Sequence, residues 1–327
     1  MALRWADIGD MANAPFAGGR FRNAHPTPDR PGGVLRWMLT RRKAKWPDFV
    51  ANTPFPPPSR VATGRIAVTF IGHATFLIQV GGVVVLTDPI WSARASPVSW
   101  AGPRRVREPG QPLEALPPAN VLLVSHCHYD HLDLPTLRRV QAMWAPETVT
   151  GLGNARHLAK AGIVGAHELD WWETVSVAGA TITYIPAQHF SARTPFDRDR
   201  TLWGGFVIEA GGTTVYFAGD TGYGPHFGEI RRRFPRIDLA LLPIGAYEPR
   251  WFMSGHHMNP DDAVRAHLDL GGPPSIGMHH ATIQLTDEAI DAPAEALAVA
   301  RAAHGVAAER FGVLAVGETA VIERQAD

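Results

Sequence analysis

A chain of 327 residues can bury a sizeable core, as one large domain or two small ones, and its 45% hydrophobic and 19% charged residues are those of an ordinary globular protein. The 31 basic and 31 acidic residues cancel to a formal charge of zero, so net charge gives no support to a nucleic-acid partner. A single cysteine, Cys127, excludes an internal disulfide framework and fits a reducing, cytoplasmic compartment, and no apolar run approaches the roughly 18 residues needed to cross a bilayer. The start of the chain, residues 1–21, lacks the apolar stretch of a secretory signal. Lysine is confined to Lys43, Lys45 and Lys160, an arginine bias that suggests a GC-rich, bacterial genome.

Residues 1–60 are rich in Pro, Gly and Arg and read as an N-terminal extension packed on a catalytic domain at 61–327. Within it, "VLRWMLTRRKAKW" (34–46) predicts a short basic helix. Its Leu35, Trp37, Met38 and Leu39 beside Arg36, Arg41, Arg42, Lys43 and Lys45 suit the surface of an anionic membrane. From residue 65, "RIAVTFIG" and "ATFLIQVGGVVVLTDP" predict two buried strands joined by a Gly-Gly hairpin turn. A Pro/Arg-rich loop follows, then "NVLLVSH", a buried strand that runs into "SHCHYDHLD". "PTLRRVQAM" predicts a helix with Pro135 in its first turn and Asp133 at its cap. "TVSVAGATITYIPAQH" and "LWGGFVIEAGGTTVYFAGD" predict hairpins, each ending in a metal-capable residue. "IDLALLPIGAY" predicts a strand, and "NPDDAVRAHLDLGG" a helix capped by Asn259, with Pro260 first and Gly271 past its end. "PSIGMHH" predicts a short strand and "DAPAEALAVARAAHG" the last long helix. Strands outnumber helices and no short-period repeat occurs, which favours one two-layered α/β unit.

The chemistry concentrates in H-x-H-x-D-H. While the chain stays extended, His126 and His128 share a direction and Cys127 points away as a small buried filler. Asp130 and His131 follow where the chain turns. Four donors within six residues suit two metals better than one tetrahedral site. His189, Asp220 and His279 each fall where a predicted strand ends. One ion would take His126, His128 and His189, the other Asp130, His131 and His279, with Asp220 as the bridge. Imidazole and carboxylate without thiolate suit zinc, with iron or manganese as alternatives. His73 in "IGHAT" reads as a hydrogen-bonding support. Asp88 in "LTDP" reads as a carboxylate that orients a ligating histidine, and Asp133 as a cap or a second carboxylate of that kind.

This set resembles the signature of the metallo-β-lactamase superfamily, which implies an αββα sandwich: two mixed β-sheets flanked by helices, with the metals at one edge. An Asp at 220 looks like the phosphodiesterase, glyoxalase II and lactonase branches, since the penicillin-cleaving zinc enzymes carry a Cys at the comparable place. "FIGHATFLIQ", "LTDPIWSARASPVSWAGPRRVREP", "LLVSHCHYDHLD", "ELDWWE", "FAGDTGY" and "LPIGAYEPRWFM" together resemble the N-acylphosphatidylethanolamine-hydrolysing phospholipase D family. "GRFRNAHPTP" and "VLRWML" extend the likeness to about residues 19–323. The resemblance implies a dinuclear zinc phosphodiesterase that hydrolyses N-acylphosphatidylethanolamine-like phospholipids to N-acylethanolamine and phosphatidic acid through a metal-bridging hydroxide.

Residue by residue, the resemblance implies the seven ligands already named, with Asp130 also counted as catalytic. "HHMNPDDAVRAH" is similar to the family's H-V-D-P-E-E-A-V and singles out His257, rather than His256, as a proton donor to the leaving alkoxide or as a residue of the helix entry. "MHHAT" departs from the family's H-W-G-T, so His279 is taken by position, with His280 beside it. Tyr223, Tyr247, Trp251 and Phe252 are the substrate-binding candidates. The implied partners are a phospholipid substrate, the inner face of the membrane as a peripheral docking surface, and a second copy in a homodimer. The alternatives are a lactonase or other small-molecule metallo-hydrolase, and a non-catalytic metal- or lipid-binding protein on this fold.

Overall fold

The computed structural model describes residues 13–25, 33–62 and 64–323. Residues 1–12 and 26–32 of the extension, and with them most of the stretch read for a secretory signal, lie outside the described residues. A short ribbon of β1 (Phe16–Ala17) and β2 (Arg20–Phe21) precedes α1 (Gly33–Thr40). The helix expected over 34–46 therefore stops at Thr40. Its basic second half is captured by distant partners instead: the Arg41 guanidinium lies 2.8 Å from Asp287, the Ala44 N–H donates to Asp287 O, and the Trp46 indole donates to Glu288 O. Those bonds take up the backbone and side chains that a longer helix would need.

Where the sequence predicts two strands, the chain forms three: β3 (Arg65–Gly72), β4 (Thr75–Val80) and β5 (Val83–Thr87). The Gly81-Gly82 turn joins the second to the third, and the first turn is made at His73 and Ala74. Gly81, at φ 57°, runs so close to another loop that a Cβ would meet Ala210 C at 2.5 Å, so glycine is required there. β6 (Val121–Val124), α2 (Leu134–Trp144), β7 (Glu147–Gly151), α3 (Ala155–Leu158) and β8 (His167–Leu169) follow. β5 to β8 pair in parallel and β3 to β5 antiparallel, giving one mixed sheet.

The second sheet begins with two hairpins, β9 (Thr174–Val177) with β10 (Ala180–Ile185) and β11 (Gly205–Ala210) with β12 (Thr213–Phe217). α4 (His226–Arg233), β13 (Leu239–Pro243), α5 (Arg250–Met253), α6 (Pro260–Asp269), β14 (Ser275–Met278), α7 (Ala292–His304) and β15 (Phe311–Val313) complete it, with β12 to β15 in parallel. The last strand, β16 (Thr319–Glu323), returns to the first sheet beside β3, so each sheet has seven strands. Asn259 caps α6 in a reciprocal capping box with Asp262, a contact of about 1 kcal/mol.

Strand alternation sorts the apolar side chains. Ile66, Val68, Phe70, Phe76 and Ile78 join a core shared with Tyr184, Phe206 and Phe217 of the second sheet. Ile71, Leu77, Leu86, Leu122 and Val124 pack instead with Leu137 and Val140 of α2 and Leu158 of α3. Each such fully buried side chain contributes about 1.5–3 kcal/mol relative to exposure. α6 packs on β13, and α7 on β15 and α6. The result is the αββα sandwich that the family resemblance implies, and the strand ends on one edge carry the chemistry.

Candidate metal centre

Each donor stands just past a strand: His126 after β6, His189 after β10, Asp220 after β12 and His279 after β14. Among the described residues, four groups of metal-capable side chains bring their donor atoms within 4.8 Å of one another. They are His126, His128 and His189; His126, His131 and Asp220; His189, Asp220 and His257; and His73, Asp130, His131 and His279. The groups overlap into one centre, and Asp220 holds its middle. Its Oδ2 lies 3.2 Å from Nε2 of both His131 and His279, and 3.8 Å from His189 Nε2.

The arrangement fits cations. Nitrogen faces nitrogen at 2.8 Å between His126 Nε2 and His128 Nδ1, and at 3.3 Å between His131 Nε2 and His279 Nε2. Asp220 Oδ1 is buried without a hydrogen-bond partner among the described residues. Such a concentration of lone pairs is what a pair of divalent ions would satisfy. Burial, with the neighbouring imidazoles, holds His126 and His189 well below the ordinary histidine value, and burial takes His128 to about 4. These three therefore rest neutral. Burial pushes Asp130 and Asp220 upward, but His131 and His279 outweigh it and hold both carboxyls well below the usual range. Burial likewise opposes charge on His131, which Asp220, Asp130 and Asp88 nevertheless raise well above the ordinary value.

The supporting bonds are specific. Asp88 accepts from the Ser125 N–H at 2.7 Å, the Ser125 hydroxyl at 2.5 Å and His131 Nδ1 at 2.7 Å. His126 Nδ1 in turn donates to the Ser125 oxygen at 2.9 Å. One carboxylate thus bonds a histidine from each half of the centre, directly to His131 and through Ser125 to His126. His73 Nε2 donates to Asp130 at 2.8 Å, and its ring also stands in a metal-capable group. His73, Asp88 and His279 hold φ of 60°, 35° and 63°, left-handed positions that cost about 1–3 kcal/mol each and that the surrounding bonds must hold. Asp88→Asn would put an amide N–H₂ against one of those donors. Both ions are then expected to bind about 10–100-fold more weakly; chelator competition showing unchanged affinities would remove Asp88 from this role.

Cys127 packs with the apolar side chains against α2, as the pleat predicts. His279 rather than His280 enters the centre, since the His280 ring stacks on Phe70. His257 enters it too, whereas His256 contributes its carbonyl, which accepts from His189 Nδ1 at 2.9 Å. Asp133 stands at the cap position of α2, but its side chain makes no bond to the helix backbone. Its carboxylate accepts instead from the Ser92 N–H and hydroxyl and from the Thr136 hydroxyl, and so ties down the loop after β5. The Tyr223 hydroxyl donates to Asp269, Trp251 lies under the Arg36 guanidinium, Phe252 stacks on Trp37 of α1, and Tyr247 is buried. Ser125 escaped the sequence reading, although its place directly before the first histidine was the available signal.

A family model for the beta-lactamase superfamily domain matches residues 84–280, from β5 to the last donors. The chain belongs to this superfamily. A superfamily relative in Caenorhabditis elegans, the N-acyl-phosphatidylethanolamine-hydrolyzing phospholipase D 1, is 42% identical over 230 residues, which are 65% of this chain and 63% of that enzyme. The chain therefore spans less than two thirds of that relative. An uncharacterized protein of Mycobacterium tuberculosis is 38% identical over 275 residues, 82% of this chain and 73% of that one. Among solved structures, a metallo hydrolase of the archaeon Ignicoccus hospitalis aligns with a TM-score of 0.59 at 22% identity, over 80% of this chain and 100% of that one, a likeness of fold. With its buried His/Asp centre, the chain is a metal-dependent hydrolase of the superfamily.

Proposed function

We propose that the hydrolase is a dinuclear phosphodiesterase of phospholipase D type, with zinc as its metal, acting on N-acylphosphatidylethanolamine-like lipids. The observation that carries this reading is the charge of a cavity of about 590 Å³ that borders the metal loop at Tyr129, Leu132 and Asp133, and is itself lined by none of the metal donors. Arg94, Arg138, Lys160 and Arg193 line it against only Asp133 and Asp197. Both acids are already bonded, Asp133 as above and Asp197 to the N–H groups of Arg193 and Thr194. A monoanionic diester gains from such a wall, about 1 kcal/mol per close charge pair in bulk water and about 4 near a protein surface. A neutral lactone gains nothing from it. The likeness to the nematode phospholipase supports the substrate class.

Ions held by His126, His128 and His189 and by Asp130, His131 and His279, with Asp220 between them, would polarise a phosphoryl oxygen and ease deprotonation of water. Asp88, Ser125 and His73 hold the donors in their tautomers and directions. His257 lies beside His189 and Asp220, and burial takes it to about 4, so it rests neutral. A neutral imidazole there would take up the proton as the water is acidified and pass it to the leaving alkoxide. The test is product analysis after incubating zinc-loaded protein with an N-acyl phospholipid and with a lactone panel. N-acylethanolamine and phosphatidic acid are the expected products; lactone cleavage without diester cleavage would overturn the assignment.

The lipid reading extends to the surface. No helix among the described residues is long and apolar enough to cross a membrane. α1, however, leaves Val34, Leu35, Met38 and Leu39 56–77% exposed, beside Arg36, Arg41, Arg42, Lys43 and Lys45. Apolar side chains framed by cations suit an anionic bilayer surface. Anionic liposomes are expected to carry the protein upward in flotation at low salt and to release most of it near 1 M salt, where the Debye length falls to about 3 Å. No flotation at low salt would end the idea.

A further inference from the structure

His189 has a backbone problem. It lies past the end of β10, with no neighbouring strand, and is only 1% exposed. The groups beside it are already used: the Gln188 N–H donates to the Thr221 hydroxyl, and Gln188 O accepts from the Gly222 N–H. A buried peptide N–H or C=O left without a partner costs about 1–3 kcal/mol, so those of His189 must be answered from elsewhere.

Both are answered by Asn23, 166 residues earlier. Its Nδ2 donates to His189 O at 2.8 Å, and its Oδ1 accepts the His189 N–H at 3.0 Å. The Trp203 indole donates to the same Oδ1 at 3.0 Å, which fixes the amide the right way round. Only a carboxamide offers donor and acceptor side by side, as a neighbouring strand would. The surrounding segment is fastened down as well. The Phe21 N–H donates to Asp199 O at 2.8 Å, Gln188 Nε2 donates to His25 O at 2.5 Å, and the Arg20 guanidinium bonds Arg198 O.

We infer that Asn23 is a positioning residue of the metal centre: its amide stands in for a missing strand and fixes the backbone of His189. Asn23 lies far outside residues 84–280, the span the superfamily model matches. The inference rests on the dinuclear reading above. With His256 O holding the ring, two of the three bonds that fix this donor come from the N-terminal extension.

The test is stepwise zinc and cobalt binding by the full chain, read by chelator competition and by the cobalt absorption spectrum. Asn23→Ala is expected to weaken one of the two ions about 10–100-fold, the usual cost of losing a supporting partner, and to change the spectrum of that ion alone. Asn23→Asp keeps the acceptor and loses the donor, so it falls between. Trp203→Phe, which removes the indole's bonds to the Asn23 amide and to Ala187 O, is expected to weaken the same ion. Phe21→Ala loosens the ribbon without touching the amide, and is expected to lower the thermal midpoint while leaving both affinities alone. Wild-type binding in Asn23→Ala, or equal weakening of both ions, would overturn the inference. A wild-type chain that binds no ion overturns the dinuclear reading itself, and this one with it.

Discussion

Asp220→Asn is expected to strip the centre of at least one ion and to lower turnover by more than about 100-fold, beyond the loss of a mere supporting partner. The carboxylate is 3% exposed and faces both halves, at 3.2 Å from His131 and His279 of one and 3.8 Å from His189 of the other. It is also among the charges that raise His131 and His279, the latter to about 9. An amide of the same shape brings no charge, and it would turn an N–H₂ toward lone pairs that a cation should occupy. Metal analysis after dialysis, together with turnover of the diester, reads both effects. Two ions retained at unchanged turnover would show that Asp220 bridges nothing.

His257→Ala should do the opposite to metal content and as much to rate. The ring lies 4.9 Å from that of His189 and 5.6 Å from that of His279, and its Nδ1 has no hydrogen-bond partner among the described residues. That free nitrogen is what a proton carrier needs. General acid–base groups contribute about 10²–10⁴-fold, so kcat should fall by that range while both ions stay bound. Lost ions would make His257 a ligand, and unchanged kcat would make it part of the entry to α6 beside Asn259.

These residues were legible to different depths. The division of "SHCHYDH" into metal-facing and core-facing side chains needs only the pleat, a local rule, and Cys127 duly faces α2. His189, Asp220 and His279 could be picked because predicted strands end on them, and Asp88 because a carboxylate follows a strand directly. Asn23 lies within "GRFRNAHPTP", a stretch of the family resemblance, but nothing in it named the residue: its partner is 166 residues away. Distance also hid the end of α1, since Asp287 and Glu288, which capture Arg41 and Trp46, lie more than 240 residues on. Trp251 and Phe252 show the same gap from the other side. The structure sets both on the short α5, where α1 covers them, and neither fact shows in the sequence.

The return of β16 to β3 sets an order on the making of the molecule. The Thr69 and Thr319 hydroxyls meet at 2.8 Å across 250 residues, and closing a loop of that length costs about 5 kcal/mol of chain entropy. On the ribosome, the first sheet to be synthesised is therefore the last to be finished. Its second sheet can pair from β9 to β15 while β3 still waits with one side of its ladder bare, an apolar edge open to any other nascent strand.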